Sequence, residues 1–207
     1  MSQQKSLTEW SGFRGTFNSW FFSTAARRLI EKTVFGNYWP TFYTQLEKNI
    51  KTGNETILDV AAGSGNFSIP IARRLQNGKV ICIDRSKEMC HYLAKRATKE
   101  ALLSRIEIIN HDILEDGPQD NSIDWAISGN FMHECSRPEK IFSKMYQTLR
   151  PGGTILVVDF RDWHGYDGGD SHGPFHPDEF GQLFTNANFK NINIQTKRHF
   201  VIGTANK

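Results

Sequence analysis

Asp59, Asp84 and Asp112, with Gly63 and Gly65 between the first two, are the residues whose types and spacing first suggest chemistry. The stretch ILDVAAGSGNF, Ile57 to Phe67, runs apolar strand-like residues into an acid and then into a loop of small residues. Gly63 and Gly65 allow a sharp turn and bring bare backbone against a bulky ligand, with amides at the start of the next helix turned outward. About 20 residues on, Asp84 closes a second apolar run, where a carboxylate can accept both hydroxyls of an adenosine ribose. That much suits a dinucleotide or an adenosylated cofactor. Asp59 and Asp112 discriminate between them. A dinucleotide pocket has no use for a carboxylate ahead of the glycines, whereas the ammonium of an amino-acid moiety does. Asp112, just after a third strand-like run, is placed to accept from an adenine amino group.

Such a site needs a sheet whose strands end side by side, and the hydrophobic pattern supplies one. Strand-like runs fall at Thr56 to Ala61, Val80 to Asp84, Ile106 to Asn110, Ile123 to Ser128 and Thr154 to Phe160. Between them lie runs of helical period. One carries Phe67, Ile71 and Leu75 as far as Asn77-Gly78; another, capped by Ser86, carries Met89, Leu93 and Ala97; a third, opened by Pro138, carries Ile141, Phe142, Met145 and Leu149 and stops at Pro151-Gly152-Gly153. Pro177 opens a helix bearing Phe180, Leu183, Phe184 and Ala187, and two further strand-like runs, Ile192 to Thr196 and Phe200 to Ala205, follow without a helix between them. Strand and helix in alternation predict a mostly parallel sheet covered on both faces, with the last two runs pairing antiparallel at one edge. The first 50 residues differ: Trp10, Phe13, Phe17, Trp20 and Phe21, then Phe35, Tyr38, Trp39, Phe42 and Tyr43, predict two aromatic-faced helices broken near Gly36 or Pro40. We expect an aromatic helical cap or lid over residues 1–50 and a cofactor-binding domain over 51–207.

At 207 residues the chain can bury a full core as one domain. The net charge of +3 is scattered, without the dense basic runs of a nucleic-acid footprint. Three cysteines, Cys82, Cys90 and Cys135, form no CxxC pair, which argues against a disulfide framework or a zinc knuckle. The N-terminus MSQQKSLTEW lacks the pattern of a signal peptide, and no stretch has the ~20 apolar residues of a membrane span. The expectation is a cytoplasmic protein, monomer or homodimer, without integral membrane association and with a small molecule rather than nucleic acid as its partner.

Taken in order, LDVAAGSG, CIDRS, NHDI, DWAISGNFMHE and LRPGGTILVVDF resemble the class I S-adenosylmethionine-dependent methyltransferases, in particular the small-molecule group related to the ubiquinone and menaquinone biosynthesis C-methyltransferases. The resemblance spans roughly residues 55 to 206. It implies a Rossmann-like α/β fold, a seven-stranded mostly parallel sheet with an antiparallel last strand, and S-adenosylmethionine as cofactor. By the same resemblance Asp59, Gly63 and Gly65 line the methionine part, Asp84 holds the ribose, Arg85, Ser86 and Met89 flank the adenosine, and Asp112 with Ile113 meets adenine. Ser128, Gly129 and Asn130 would lie beside the methyl donor. Ala61 stands where the common loop has its first glycine, and a turn of negative φ there would tolerate it. Asn188 replaces a frequent glycine and suits a left-handed cap.

The resemblance implies in-line methyl transfer to a small-molecule acceptor with release of S-adenosylhomocysteine. His133 and Glu134 after the fourth strand, Asp159 on the fifth and His164 behind it are the candidates for a base. Tyr38, Trp39, His133 and His164 are candidate acceptor contacts, and Tyr38 or Phe131 could favour the cationic donor through its ring face. Asp159, Asp162, His164, Asp167, Asp170, His172 and His176 invite a metal, but their spacing matches no helix-based ligand pair, and we expect none. The rival readings are a cofactor-binding accessory protein without turnover and an NAD-dependent oxidoreductase; against the latter, Ser68 stands in place of a third glycine.

Overall fold

Each central strand alternates its side chains between two cores. Ile57, Val80, Cys82, Trp125, Ile127, Leu156 and Val158 enter one, and Leu58, Val60, Ile81, Ile83, Ala126, Ile155 and Val157 the other. A period of two with both sets apolar requires cover on both faces, which is what the near-continuous apolar runs announced. In the computed structural model, which describes residues 37–161 and 172–207, the order is α1 (Trp39–Asn49), β1 (Thr56–Val60), α2 (Ser68–Ala72), β2 (Lys79–Ile83), α3 (Lys87–Lys99), β3 (Ile106–Ile109), β4 (Ile123–Gly129), α4 (Pro138–Thr148), β5 (Leu149–Phe160), α5 (Pro177–Asn186), β6 (Lys190–Lys197) and β7 (Phe200–Asn206). Phe42, Leu46, Ile69, Ile71, Leu93 and Ala97 of α1, α2 and α3 cover the first face. Ile141, Phe142, Met145, Phe180, Leu183 and Phe184 of α4 and α5 cover the second.

The seven strands run in the order β3-β2-β1-β4-β5-β7-β6. β1 to β5 are parallel, and β7 lies antiparallel between β5 and β6. The expected antiparallel pair is present, with β6 at the edge. Strand order reverses between β1 and β4, so the crevice beyond their carboxyl ends is where a ligand fits.

Local chemistry sets several boundaries. The Ser86 hydroxyl caps α3 by accepting from the Met89 amide at 3.2 Å. Asn188 adopts φ +69°, with Asn188 N–H donating to Thr185 O and Phe189 N–H to Phe184 O, the double bond pattern of a left-handed helix stop. Other expectations need correction. α2 ends at Ala72 rather than near Leu75, although Leu75 is still buried. Pro151-Gly152-Gly153 does not precede β5 but lies inside it, where the pairing jumps from Ile123↔Leu149 to Trp125↔Thr154 and Gly152 takes φ +79° as an irregularity in the ladder. Pro40 starts α1 instead of breaking it, because the first turn of a helix needs no proline N–H. The other expected N-terminal helix falls within residues 1–36, outside the described residues.

Gly203 shows how closely α5 packs on the sheet. A Cβ there would lie 2.3 Å from Phe184 Cζ and 3.1 Å from Phe180 Cε1. Gly203→Ala is expected to lower stability by about 1–3 kcal/mol, read as a lower midpoint in chemical denaturation; an unchanged midpoint would show that α5 yields freely.

Candidate cofactor and active site

β1 ends one residue after Asp59, and its neighbours on either side are Cys82 of β2 and Ile127 of β4. The register turns Asp59 into the face covered by α2, where the Ser68 hydroxyl donates to Asp59 Oδ2. Asp59 is 1% exposed, and its Oδ1 has no hydrogen-bond partner among the described residues. Burial pushes the carboxyl up to about 7; the Ser68 hydrogen bond opposes the rise and the charge of Asp84 adds to it.

The loop after β1 is wound by three residues of positive φ: Ala61 at +55°, Gly63 at +54° and Gly65 at +83°. Ala61 therefore corrects the expectation of a negative-φ turn. The Ala62 N–H must reach Ile83 O at 3.1 Å, and the alanine takes the left-handed conformation that imposes. The two glycines do different work. At Gly63 a Cβ would meet, among the described residues, nothing nearer than Ala61 O at 4.0 Å, so its face is open to them. At Gly65 it would lie 2.3 Å from Leu93 Cδ1, so that glycine is required by α3 and not by an approaching ligand. Arg96 of α3 holds the outer loop, its guanidinium donating to Ser64 O at 2.5 Å and to Asn66 Oδ1 at 3.2 Å.

Asp84 ties this loop to β2. Its Oδ2 accepts from the Gly63 amide and its Oδ1 from the Ser86 amide, both at 2.8 Å. Burial raises the carboxyl above the usual range, while these two amides and Arg85 counteract that. Arg85 lies 3.6 Å from Asp112, whose other oxygen accepts from the Leu114 amide at 2.9 Å. Met89 and Ile113 are buried nearby in sequence, at the start of α3 and after β3. The acids thus stand at the carboxyl ends of β1, β2 and β3, as a ligand laid across those ends requires.

Beyond β4 the chain makes a second cluster. The Ser128 hydroxyl donates to Val60 O at 3.0 Å and stitches β4 to β1. A Cβ on Gly129 would lie 2.0 Å from Phe67 Cε2, so this position is set by packing. Asn130 turns the chain at φ +55°, and its Oδ1 is buried without a hydrogen-bond partner among the described residues. His133 follows on a 3₁₀ turn, Met132–Glu134. Its Nδ1 is 2.6 Å from Asp159 Oδ1, and the other Asp159 oxygen accepts from the Met132 amide at 2.6 Å and the His133 amide at 3.3 Å. With the carboxylate as acceptor, Nδ1 carries the proton and Nε2 is left as the basic nitrogen, 3.8 Å from Glu134 Oε1. The ring stands edge-on to Phe160 with centroids 5.1 Å apart. Behind it, the Gly173 amide donates to His133 O and the His172 amide to Cys135 O.

Tyr38 is buried in the first core, edge-on to Phe200 at 4.8 Å and beside Phe67 at 6.0 Å. Its ring packs rather than presenting a free face. Trp39 is half-buried and also packs on Phe67, at 5.4 Å. His164 lies outside the described residues, as do Asp162, Asp167 and Asp170 of the suspected metal cluster; among the described residues no three acids, histidines or cysteines are grouped to hold a metal. The bond from Ser68 to Asp59 is the contact that the sequence concealed. Ser68 stands where a third glycine was sought, and only the fold brings it to Asp59.

The strand order, with the glycine loop under Asp84 and acids at three consecutive strand ends, is a Rossmann-like fold of the kind that solved S-adenosylmethionine-dependent methyltransferases share. Residues 57–153 match the methyltransferase domain family. A demethylmenaquinone methyltransferase of Oceanobacillus iheyensis is 30% identical over 117 residues, 56% of this chain and 48% of that protein. A carboxy-S-adenosyl-L-methionine synthase of Nautilia profundicola is 32% identical over 115 residues, 54% of this chain and 47% of that protein. The chain therefore spans about half the length of the curated relatives it matches. In fold it is similar to a SAM-dependent methyltransferase from Aquifex aeolicus, with a TM-score of 0.71 and 18% identity over 92% of this chain and 97% of that one.

Ala61 and Gly129 give opposed expectations. Ala61→Gly is expected to raise stability by about 1 kcal/mol by relieving a left-handed alanine, and Gly129→Ala to lower it by about 1–3 kcal/mol by colliding with Phe67. Thermal denaturation of both variants checks the pair; a loss on Ala61→Gly would contradict the strained conformation.

Proposed function

We propose that the chain transfers the methyl group of S-adenosylmethionine to a small-molecule acceptor, with His133 as base. The observation that carries this reading is the buried Asp59 oxygen without a partner among the described residues, at the end of the strand whose loop carries the open face of Gly63 and is tied to the carboxylate of Asp84. A ligand with an ammonium at one end and ribose hydroxyls at the other fits that set. Asp59 would take the ammonium, Asp84 the ribose, Arg85, Ser86 and Met89 the adenosine, and Asp112 with Ile113 the adenine. Ala61, Gly63 and Gly65 shape the loop, and Ser128, Gly129 and Asn130 form the end of β4 beside the reacting centre.

When bound, the cofactor supplies a sulfonium-linked methyl that is already electrophilic and a thioether as leaving group. The protein's part is alignment, which can supply about 7–11 kcal/mol, and proton removal from the acceptor. His133 Nε2 takes that proton, Asp159 holds the ring and balances the imidazolium through Nδ1–H, and Glu134 adds a second negative charge beside Nε2. Half-buried Trp39, Phe131 and Phe160 offer apolar rings for a ring-bearing acceptor, a choice that the name of the demethylmenaquinone methyltransferase relative also favours. We assign the N-terminal segment to residue 50 as a cap of the acceptor site whose α1 part also covers the first face of the sheet. We read His164 as an acceptor contact of that site.

Calorimetric titration with S-adenosylmethionine, S-adenosylhomocysteine and NAD tests the cofactor. The first two are expected to bind and to be lost in Asp84→Ala; binding of NAD alone would sink the reading. With an acceptor found by screening for S-adenosylhomocysteine release, His133→Gln is expected to lower turnover by about 10²–10⁴ with cofactor affinity kept. Full turnover across the pH range in that variant would remove His133 as base.

A further inference from the structure

We propose that Cys82 and Ser68 form a buried hydrogen-bond chain that positions Asp59 and couples entry of the cofactor's amino-acid end to release of a proton from that carboxyl. The inference rests on the cofactor reading above. β1 and β2 set Cys82 directly opposite Asp59, and α2 places Ser68 against both. Exposure is 1% at Asp59, 0% at Ser68 and 1% at Cys82, so solvent does not compete for these bonds. A hydroxyl has one proton to give, and Ser68 gives it to Asp59 Oδ2. Its oxygen therefore accepts from the Cys82 thiol, 3.1 Å away. Burial, first of several causes, holds that thiol well above its ordinary range, so it keeps its proton and the direction of the chain is fixed.

Asp59 Oδ2 is thereby occupied, and Oδ1 is left to the ligand. Asp84 at the end of β2 faces Asp59 with a like charge, Cys82 faces it as a neutral thiol, and Cys90 of α3, its thiol pushed by burial up to about 12, is neutral as well. Among the described residues no cation contributes to the shift of Asp59. The free protein therefore retains a proton on the carboxyl near neutral pH, and an arriving ammonium takes over that charge balance. The ammonium keeps its three protons, and the carboxyl proton passes to solvent. Contact can be direct or through one bridging water. Ser68 sets the pH of the exchange because its hydrogen bond favours the charged form, and Cys82 fixes Ser68.

The test is calorimetry on the whole chain between pH 6 and 8 with S-adenosylhomocysteine and with 5′-methylthioadenosine, which has the adenosine but no amino-acid end. A carboxyl at about 7 is mostly protonated at pH 6 and mostly ionised at pH 8. The affinity for S-adenosylhomocysteine is therefore expected to rise about tenfold across that window, and that for 5′-methylthioadenosine to stay flat. At pH 6, buffers of different ionisation enthalpy are expected to report about one proton released per S-adenosylhomocysteine bound. Ser68→Ala is expected to move the midpoint up by about one pH unit, Ser68→Cys to move it part-way, and Asp59→Asn to abolish the dependence. Matching pH profiles for the two ligands in the unaltered protein overturn the coupling, a result that needs no variant to fold. An unchanged midpoint in Ser68→Ala overturns the chain. If neither ligand binds at any pH, the cofactor reading itself falls, and this inference with it.

Discussion

A carboxyl group buried at the end of a central strand, with one oxygen held and one not, is the constraint on which the rest of this site depends. Leaving a buried acceptor without a donor costs about 1–3 kcal/mol, and more if the group is charged. The fold tolerates that cost at Asp59 because everything around it is fixed for other reasons. β1 is clamped between β2 and β4, α2 is set by the first core, and the loop above is pinned by Asp84 and Arg96. None of these can relax to satisfy Oδ1 without breaking bonds of its own. The site is preorganised because its surroundings are overdetermined.

The dyad beyond β4 is built on a different principle. Asp159 accepts from two backbone amides of the turn that carries His133 as well as from the imidazole itself. One carboxylate thus shapes the turn and orients its imidazole, so the two effects cannot be separated by substitution at Asp159. The aromatic cluster on the first face acts similarly. Phe67 touches Tyr38, Trp39 and Phe42 and also fills the space that Gly129 leaves, linking α1 to the end of β4 through a single ring.

Much of this was legible in the sequence, for identifiable reasons. Strands buried on both faces read as unbroken apolar runs, and Asp59, Asp84 and Asp112 were visible because each lies at or just beyond the end of such a run. Asn188 was legible because its residue type reports its backbone conformation. The misreadings share one cause. Alanine reports no conformation, so the left-handed Ala61 was hidden until Ile83 was seen to draw the loop. Pro-Gly-Gly marks an irregularity but does not say whether it lies before a strand or within one. Gly65 and Gly129 signal close approach without saying to what, and here it is Leu93 and Phe67. The bond from His133 to Asp159 joins the ends of adjacent strands, and Ser68 meets Asp59 across a loop; neither pairing has a local pattern.

The position of β7 has a consequence for how the chain is made. β7 follows β6 in sequence but lies inside it, between β5 and β6. A nascent chain that has reached Lys197 holds β5 with one side of its ladder unpaired, an apolar edge open to any passing strand. The last two strands then have to arrive together, as a hairpin that docks β7 against the waiting β5. Until Phe200 to Asn206 has left the ribosome, the strand that carries Asp159 has an open flank, and its protection in that interval falls to chaperones or to speed.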